Sequence, residues 1–274
     1  MMKGYIILAL LVIAQMKGFS QKGYEIGALG GVSYYIGDIN PTYSLKSPGV
    51  SLGFLSRYDF NTRTSLRFDV GLGQLIGKDE LSENSFQQAR NLSFKTDYID
   101  ASLDFEFNFF QYIHGSRSQY FTPYIFGGFA LTYFNPRAKL DGDWYGLRNM
   151  GTEGQAVGDE YGNISPALSY GMGFKMDLSY EWSVNFELSA RQSGTDYLDD
   201  VSTVYPNMNE LASRRGDIAV RLSDRSAELG IEPIGQPGRQ RGVSEDNDAY
   251  YSLRVGLVYY IGFLQCPDIS KPRQ

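Results

Sequence analysis

Few residues in this chain are suited to catalysis. A Ser–His–acid arrangement needs a histidine as its base, and the chain has a single histidine, His114. It stands beside Gly115, directly after a strand-like segment, so we expect a solvated turn residue without a catalytic role. The single cysteine, Cys266, excludes an internal disulfide and is expected to be a bystander thiol. No His/Cys metal motif and no phosphate-binding glycine loop is found. The sequence therefore predicts a protein that is not an enzyme and that binds no cofactor.

Two acidic motifs have the ligand chemistry of a hard cation. Asp141-Gly-Asp143 precedes Trp144, and Asp196 stands three residues before the pair Asp199-Asp200. Carboxylates suit Ca²⁺, but the sequence favours solvated acidic loop residues as the account of both motifs. The candidate contact residues of the surface loops are Asp141, Asp143, Trp144, Asp196, Asp199 and Asp200.

Many of the other charged residues occupy alternate positions of strand-like segments. Between Ile99 and Phe109 the odd positions are apolar, and the even positions are Asp, Ser, Asp, Glu and Asn. A strand turns successive side chains to opposite faces, so one face is apolar and the other carries charge. Repeated segments of about ten such residues indicate an outer-membrane β-barrel. A soluble barrel would have the opposite arrangement, with apolar residues inside.

The alternation predicts an all-β fold, an eight-stranded antiparallel transmembrane β-barrel with long extracellular loops. The strands are expected near residues 24–36, 48–59, 63–75, 97–110, 122–134, 166–179, 182–193 and 250–263. Short connections are predicted at 59–63, 111–121 and 179–181, and longer ones at 37–47, 76–96, 135–165 and 194–249. Such barrels keep short turns in the periplasm and long loops outside. Both termini are therefore expected in the periplasm of an outer-membrane protein.

The N-terminus has the pattern of a secretory signal peptide. Lys3 precedes an apolar run over residues 5–14, and the small residues Gly18 and Ser20 fit positions −3 and −1 of a cleavage site. The run is shorter than the about 20 apolar residues of a membrane-spanning helix. The expected organisation is a signal peptide (1–20), a barrel (21–263, with the long loop 194–249) and a periplasmic C-terminal tail (264–274).

The predicted inward faces carry both signs of charge. The acids are Glu25, Asp69, Asp100, Asp104, Glu106, Asp177 and Glu187, and the bases are Arg57, Arg67, Lys175, Arg191 and Arg254. An eight-stranded barrel is only wide enough for side chains to fill, and buried charges must be paired. We therefore predict a plug of salt bridges, which excludes a porin. The formal net charge of −6 gives no basic surface for nucleic acid.

The loop 194–249 is the largest predicted extramembrane segment. Its apolar residues Leu211, Ile218, Leu222 and Leu229 share one side of a helical wheel, although Gly216 interrupts it. Two interpretations stay open: a short helix that caps the barrel, or a disordered insertion.

Several short motifs follow one another along the chain. Glu25-Ile-Gly comes first, Ser33-Tyr-Tyr-Ile-Gly-Asp38-Ile-Asn-Pro41 follows, and others lie at residues 90–94, 106–110, 122–128, 134–136, 151–155 and 195–203. Together these motifs resemble the PorG-like family. The stretch from about 208 to 247 has no counterpart in that pattern. The resemblance implies a small outer-membrane barrel that is associated with type IX secretion and, in some cells, with gliding motility.

The resemblance further implies an accessory role in protein transport: anchoring a periplasmic ring of PorK-like lipoprotein and PorN-like subunits. The candidate periplasmic contact residues are His114, Arg117, Tyr120, Cys266, Lys271 and Arg273. Outer-membrane lipid is the other expected partner. The alternative, from a different class, is a surface recognition or adhesion barrel that acts through its acidic loops. A third possibility, a lipid-modifying enzyme, would depend on His114.

Overall fold

Eight long antiparallel strands close into a barrel in the computed structural model, which describes residues 23–41 and 45–262. The strands are β1 (Gly23–Ile36), β2 (Gly49–Asp59), β3 (Thr64–Lys78), β4 (Ser93–Asn108), β5 (Phe121–Leu140), β7 (Ile164–Asp177), β8 (Trp182–Ser193) and β9 (Ala249–Ile261). Neighbours in the chain pair with each other, and β9 pairs with β1 to complete the circle. The short β6 (Asp143–Gly146) pairs only with the end of β5. The predicted fold class is confirmed.

The alternation of side chains explains why the barrel faces two environments. In β4, Asp100 and Asp104 are buried in the lumen, whereas Leu103 and Phe105 point outward and are 53% and 50% exposed. The same period holds in the other barrel strands, so the outer surface is a continuous apolar band and the interior is polar. A polar interior inside an apolar outer band is the arrangement of a membrane-spanning barrel.

The two ends of the barrel differ in the length of their connections. At one end, called here the turn end, the connections are residues 60–63, 109–120 and 178–181. At the other, the loop end, they are residues 37–48, 79–92, 141–163 and 194–248. The predicted signal peptide and the tail 264–274 lie outside the described residues.

Three strands extend further at the loop end than the sequence pattern predicts. β3 continues to Lys78, β4 begins at Ser93, and β5 continues to Leu140, so parts of the predicted loops 76–96 and 135–165 are strand. The extensions pair with each other, with Ile76 opposite Lys95 and Lys95 opposite Arg137. Alternation alone did not reveal them, because partners beyond the barrel rim stabilise them.

The segment 194–248, called here the cap, packs over the barrel mouth with two short helices. The helices of the chain are α1 (Ser85–Arg90), α2 (Leu147–Met150), α3 (Met208–Arg215) and α4 (Asp217–Ser223), with 3₁₀ turns at Asp79–Leu81 and Ser226–Leu229. Gly216 separates α3 from α4 with a φ of +83°, which breaks the predicted single helical face. Leu211 and Leu222 are buried on the cap interior, whereas Ile218 and Leu229 are exposed.

The cap shares an apolar core with the extended strands. Leu198, Val201 and Leu222 of the cap pack with residues of the barrel rim such as Tyr35 and Phe134. Of the two interpretations of this loop, the packed cap is the one that the structure supports. Within the described part of the chain, no helix is long and apolar enough to cross a membrane.

Candidate functional site

A four-residue ion-pair cluster crosses the middle of the lumen. Arg67 on β3 reaches Glu187 on the opposite strand β8, with Nη2 2.9 Å from Oε1, and also Asp69 at 3.1 Å. Arg254 lies beside Glu187 across the β8–β9 register and contacts Glu187 at 2.7 Å and Asp69 at 3.0 Å. All four side chains are almost fully buried. The cluster therefore braces opposite walls of the barrel.

A second cluster lies nearer the turn end. Arg57 on β2 pairs with Glu25 on β1 and, at 2.9 Å, with Glu106 on β4. Lys175 on β7 contacts Glu106 at 2.9 Å. In the closed barrel, β4 and β7 are each three strands away from β1, in opposite directions around the wall. This cluster therefore also spans the interior.

A third group lies toward the loop end. Arg191 approaches Asp100 at 3.4 Å, and the Tyr250 hydroxyl donates a hydrogen bond to the same carboxylate at 2.6 Å. Asp104 accepts a hydrogen bond from Ser102 at 2.8 Å. Most of the residues predicted for the lumen thus lie together inside the barrel. Asp177 is the exception, because it stands at the turn end and contacts the 109–120 connection.

Charged side chains occupy the lumen from one end to the other. A buried ion pair is weak evidence for stability, because desolvation offsets much of the attraction, but loss of one partner leaves an uncompensated buried charge. The arrangement suits a rigid membrane-embedded body.

His114 is buried, and the expectation of a solvated turn residue is wrong. The 109–120 connection folds into the turn-end mouth, where the imidazole stacks on Tyr260 with ring centroids 4.1 Å apart. Its Nε2 lies 3.1 Å from Glu25, and its Nδ1 lies 3.0 Å from Asp177. Burial alone would lower the pKa of His114, but the nearby carboxylates of Asp177 and Glu25 outweigh it and raise this pKa to about 9.

The burial of His114 also changes its candidate role. A side chain that is 4% exposed cannot contact a partner protein directly. Arg117 and Tyr120 of the same connection are exposed and remain available. The other periplasmic candidates, Cys266, Lys271 and Arg273, lie outside the described residues.

The acidic motif of the cap is buried, not solvated as expected. Asp199 accepts hydrogen bonds from the Tyr35 hydroxyl at 2.5 Å and from the amide of Val201 at 2.9 Å. Asp248 accepts from the same hydroxyl at 2.6 Å and from the amide of Leu198 at 2.8 Å. These carboxylates satisfy backbone donors of the cap and hold it to β1, which explains why loop acids are buried here.

Burial has shifted the ionisation of the cap carboxyls. Desolvation, with a contribution from the charge of Asp38, raises the pKa of Asp196 to about 8. Desolvation likewise raises the pKa of Asp200, and of Asp38 in the neighbouring 37–48 connection, to about 6, against the opposing effect of nearby arginines and hydrogen-bond donors. The pKa of Asp199 is also raised, again mainly by burial. The cap interior therefore holds an excess of carboxyl groups that protonate more readily than exposed ones.

Two buried arginines that sequence reasoning missed tie the cap to the rest of the loop end. Arg90 pairs with Asp79 at 2.8 Å and donates to the carbonyl of Arg241 at 2.5 Å. Arg241 in turn pairs with Glu153 at 3.0 Å and donates to the carbonyl of Asp200 at 2.5 Å. The sequence gives only a weak indication of these contacts. Arg90 and Glu153 lie in the motifs at 90–94 and 151–155, but no sequence pattern predicts that either residue contacts Arg241.

The other acidic motif forms the tip of the β5–β6 hairpin. Asp141, Asp143 and Trp144 are exposed, and Trp144 is 53% exposed. Asp141 pairs with Arg221 of α4 at 2.5 Å, and the ammonium of Lys95 lies 5.9 Å from the Trp144 ring centroid. The structure thus separates the two acidic motifs, because one seals the cap and the other faces solvent.

Comparisons with known proteins give a family and a set of similar structures. The family model described as a domain of unknown function (DUF6089) matches residues 4–219. The β-barrel domain of OprF from Pseudomonas aeruginosa is similar at 11% identity and a TM-score of 0.38, over 88% of this chain and 99% of that one. The outer membrane protein OprG from the same species is 12% identical with a TM-score of 0.40, over 90% and 99%. The attachment invasion locus protein Ail of Yersinia pestis is 9% identical with a TM-score of 0.40, over 88% and 97%. No curated protein sequence matches the chain.

Proposed function

We propose that this chain, which belongs to the DUF6089 family, is a non-enzymatic outer-membrane barrel whose function is to anchor other proteins. The observation that carries the proposal is the lumen, which is filled by interlocking ion pairs such as Arg67–Glu187 and Arg57–Glu106. A barrel filled in this way is a rigid membrane-embedded body and is unsuited to conduct solutes.

The orientation follows from the two kinds of connection. Outer-membrane barrels keep short turns on the periplasmic side and long loops outside. The turn end, with residues 60–63, 109–120 and 178–181, then faces the periplasm. The cap and the β5–β6 hairpin face the cell exterior.

The anchored partner is a periplasmic ring of the type IX secretion system, made of PorK-like lipoprotein and PorN-like subunits. Support comes from the motifs that resemble the PorG-like family, which run in order through the barrel strands and loops. The turn end supplies an exposed surface for such contact, including Arg117 and Tyr120.

The test is a pull-down of the tagged protein from crosslinked, detergent-solubilised outer membranes, with the bound proteins identified by mass spectrometry. Recovery of the ring subunits supports the proposal. Recovery of the barrel alone, from cells in which the ring is assembled, refutes it.

Paired variants localise the contact. The double substitution Arg117→Glu/Tyr120→Ala changes exposed side chains of the turn end and leaves the buried His114 in place. We expect it to reduce recovery of ring subunits at least tenfold. The matched control, Trp144→Ala, removes an exposed aromatic residue at the opposite end and should leave recovery unchanged. Equal recovery with both variants contradicts a turn-end contact.

The second candidate function is surface recognition, and the β5–β6 hairpin favours it. Its tip presents Trp144 beside Asp143, a combination of aromatic and acidic groups that is exposed at the loop end. The buried Asp196, Asp199 and Asp200 cannot take part in such contacts. If recognition is the function, Trp144→Ala abolishes it while secretion and ring recovery continue.

A further inference from the structure

We propose that the turn-end mouth of the barrel binds one divalent transition-metal ion, with Zn²⁺ as the probe, through Glu25, Asp59 and His114. One ligand atom of each residue lies within 4.8 Å of those of the other two, and all three residues are buried. A nitrogen and two carboxylate oxygens are donor types that Zn²⁺ sites use, and a small movement of the side chains would bring all three atoms to bonding distance of one ion. This site is independent of the proposed anchoring role.

Each side chain keeps an atom available for the ion. Glu25 divides its two oxygens: Oε2 pairs with Arg57, and Oε1 faces His114 Nε2 at 3.1 Å. Asp59, at the end of β2, accepts a hydrogen bond from Ser65 through Oδ1 at 2.5 Å. These contacts hold the ligands in place, and each carboxylate retains further lone pairs for a metal.

A small cavity adjoins two of the three ligands, Asp59 and His114, and contains an unsatisfied oxygen. Its volume is about 10 Å³, which is about the space that one water molecule or ion requires. The lining residues are Asp59, Asn61, Asn108, Tyr112, His114 and Tyr260. The side-chain oxygen Oδ1 of Asn108 is buried and has no hydrogen-bond partner among the described residues. A buried amide oxygen without a partner is costly, and a metal ion in the cavity would give it one.

Asp177 lies where the outer partner of a metal-binding histidine would lie. The Nδ1 of His114 lies 3.0 Å from Asp177, on the side of the ring opposite to Glu25. Metal-ligating imidazoles almost always donate the second N–H to a carboxylate or carbonyl, which fixes the tautomer and the ring orientation. Asp177 is itself held by the amide of Gly115 at 3.0 Å and by the Tyr112 hydroxyl.

The charge of the pocket also favours a divalent cation. The carboxylates that meet there belong to Glu25, Asp59, Glu106 and Asp177. The permanent cations beside them are Arg57 and Lys175, with Lys175 at 4.0 Å from Glu25 and 2.9 Å from Glu106. A metal-ligating imidazole must be neutral, so the ion displaces the proton that the raised pKa of His114 retains. The four carboxylates then exceed these two cations by two charges, which one divalent ion balances. An imidazole ligand selects Zn²⁺ or a similar transition metal over Ca²⁺.

The experiment uses the full chain with the substitution Cys266→Ser, which removes a thiol that could itself bind Zn²⁺. The affinity tag contains no histidine. The metal-free protein is folded in detergent and titrated with Zn²⁺ at pH 7.5, and the retained metal is measured by mass spectrometry. In parallel, ¹⁵N NMR follows the imidazole, which is the single one in the chain. We expect one Zn²⁺ per chain, a shift of the Nε2 resonance that saturates at one equivalent, and no such response to Ca²⁺.

Variants separate the proposed site from adventitious binding. Asp59→Asn and His114→Gln should each weaken binding by at least tenfold, and Asp177→Asn by about tenfold to a hundredfold as an outer partner. The control Asp143→Asn, at the exposed hairpin tip, should bind as the parent does. Heat-modified migration in electrophoresis verifies that each variant is folded. The proposal is overturned if one equivalent of Zn²⁺ leaves the imidazole resonance of the parent protein unchanged. It is also overturned if Asp59→Asn retains as much Zn²⁺ as the parent does.

Discussion

The central lumen cluster predicts a large penalty for the substitution Glu187→Gln. Glu187 accepts hydrogen bonds from Arg67 at 2.9 Å and from Arg254 at 2.7 Å, and all three residues are almost fully buried. The amide keeps the shape of the side chain but removes the charge, so two buried guanidinium groups then share the single carboxylate of Asp69.

The magnitude follows from this remaining partner. Removing one member of a buried ion pair costs about 3–5 kcal/mol. Because Asp69 still contacts both arginines and the glutamine oxygen still accepts a hydrogen bond, we expect the lower end, about 3 kcal/mol. At about 1.4 kcal/mol for each factor of ten, the folding equilibrium constant falls by about 150-fold.

The assay is reversible urea unfolding in lipid or detergent micelles, followed by the fluorescence of Trp182 on β8 and by electrophoretic mobility. The matched control is Glu210→Gln, the same chemical change in the exposed pair with Arg214, whose side chains are 62% and 49% exposed. Exposed pairs contribute little, so the control should unfold as the parent does.

A double-mutant cycle separates the charge effect from packing. Arg254→Gln together with Glu187→Gln removes one charge of each sign, so the double variant should lose less than the sum of the two single losses. A destabilisation below about 1 kcal/mol for Glu187→Gln, or strict additivity in the cycle, would refute the view that these charges are mutually compensated.

Three further predictions concern the cap and the barrel wall. The pKa values of Asp196 and Asp200 are raised to about 8 and about 6, so the folded cap binds protons that the unfolded chain releases, and the cap loses stability as pH rises through these values. Proteolysis within residues 204–247 should therefore be slower at pH 6 than at pH 8. Faster cleavage at pH 6 would contradict the argument. Tyr35→Phe removes the hydroxyl shared by two buried carboxylates at 2.5 and 2.6 Å, and it should speed the same cleavage several-fold while the barrel stays resistant to heat in electrophoresis. Gly128→Val should destabilise the barrel by about 1–3 kcal/mol in urea unfolding, because a Cβ there would lie 2.0 Å from the carbonyl oxygen of Leu103. An unchanged urea midpoint would contradict this prediction, since it would mean that the strands move apart at little cost.

Much of the barrel could be predicted because its determinants are local. The alternation in segments such as 99–109 assigns each side chain to the lumen or to the membrane without knowledge of its neighbours. The predicted strands therefore agree with β1 to β5 and β7 to β9, except for the extensions at the loop end. In the extensions, the stabilising partners come from another part of the chain, such as Arg137 opposite Lys95. The alternation of apolar and polar residues does not predict which segments pair.

The sites depended on contacts that no sequence spacing encodes. Glu25, Asp59 and His114 meet because β1, β2 and the 109–120 connection converge at one rim of the closed barrel. In the same way Asp199 and Asp248, which the sequence shows as loop acids, are buried because both accept a hydrogen bond from Tyr35. The sequence by itself determined which face each strand side chain takes, since a period of two is a property of the extended backbone. Only closure of the barrel and folding of the cap decided which charges meet, since those neighbours are set by long-range packing.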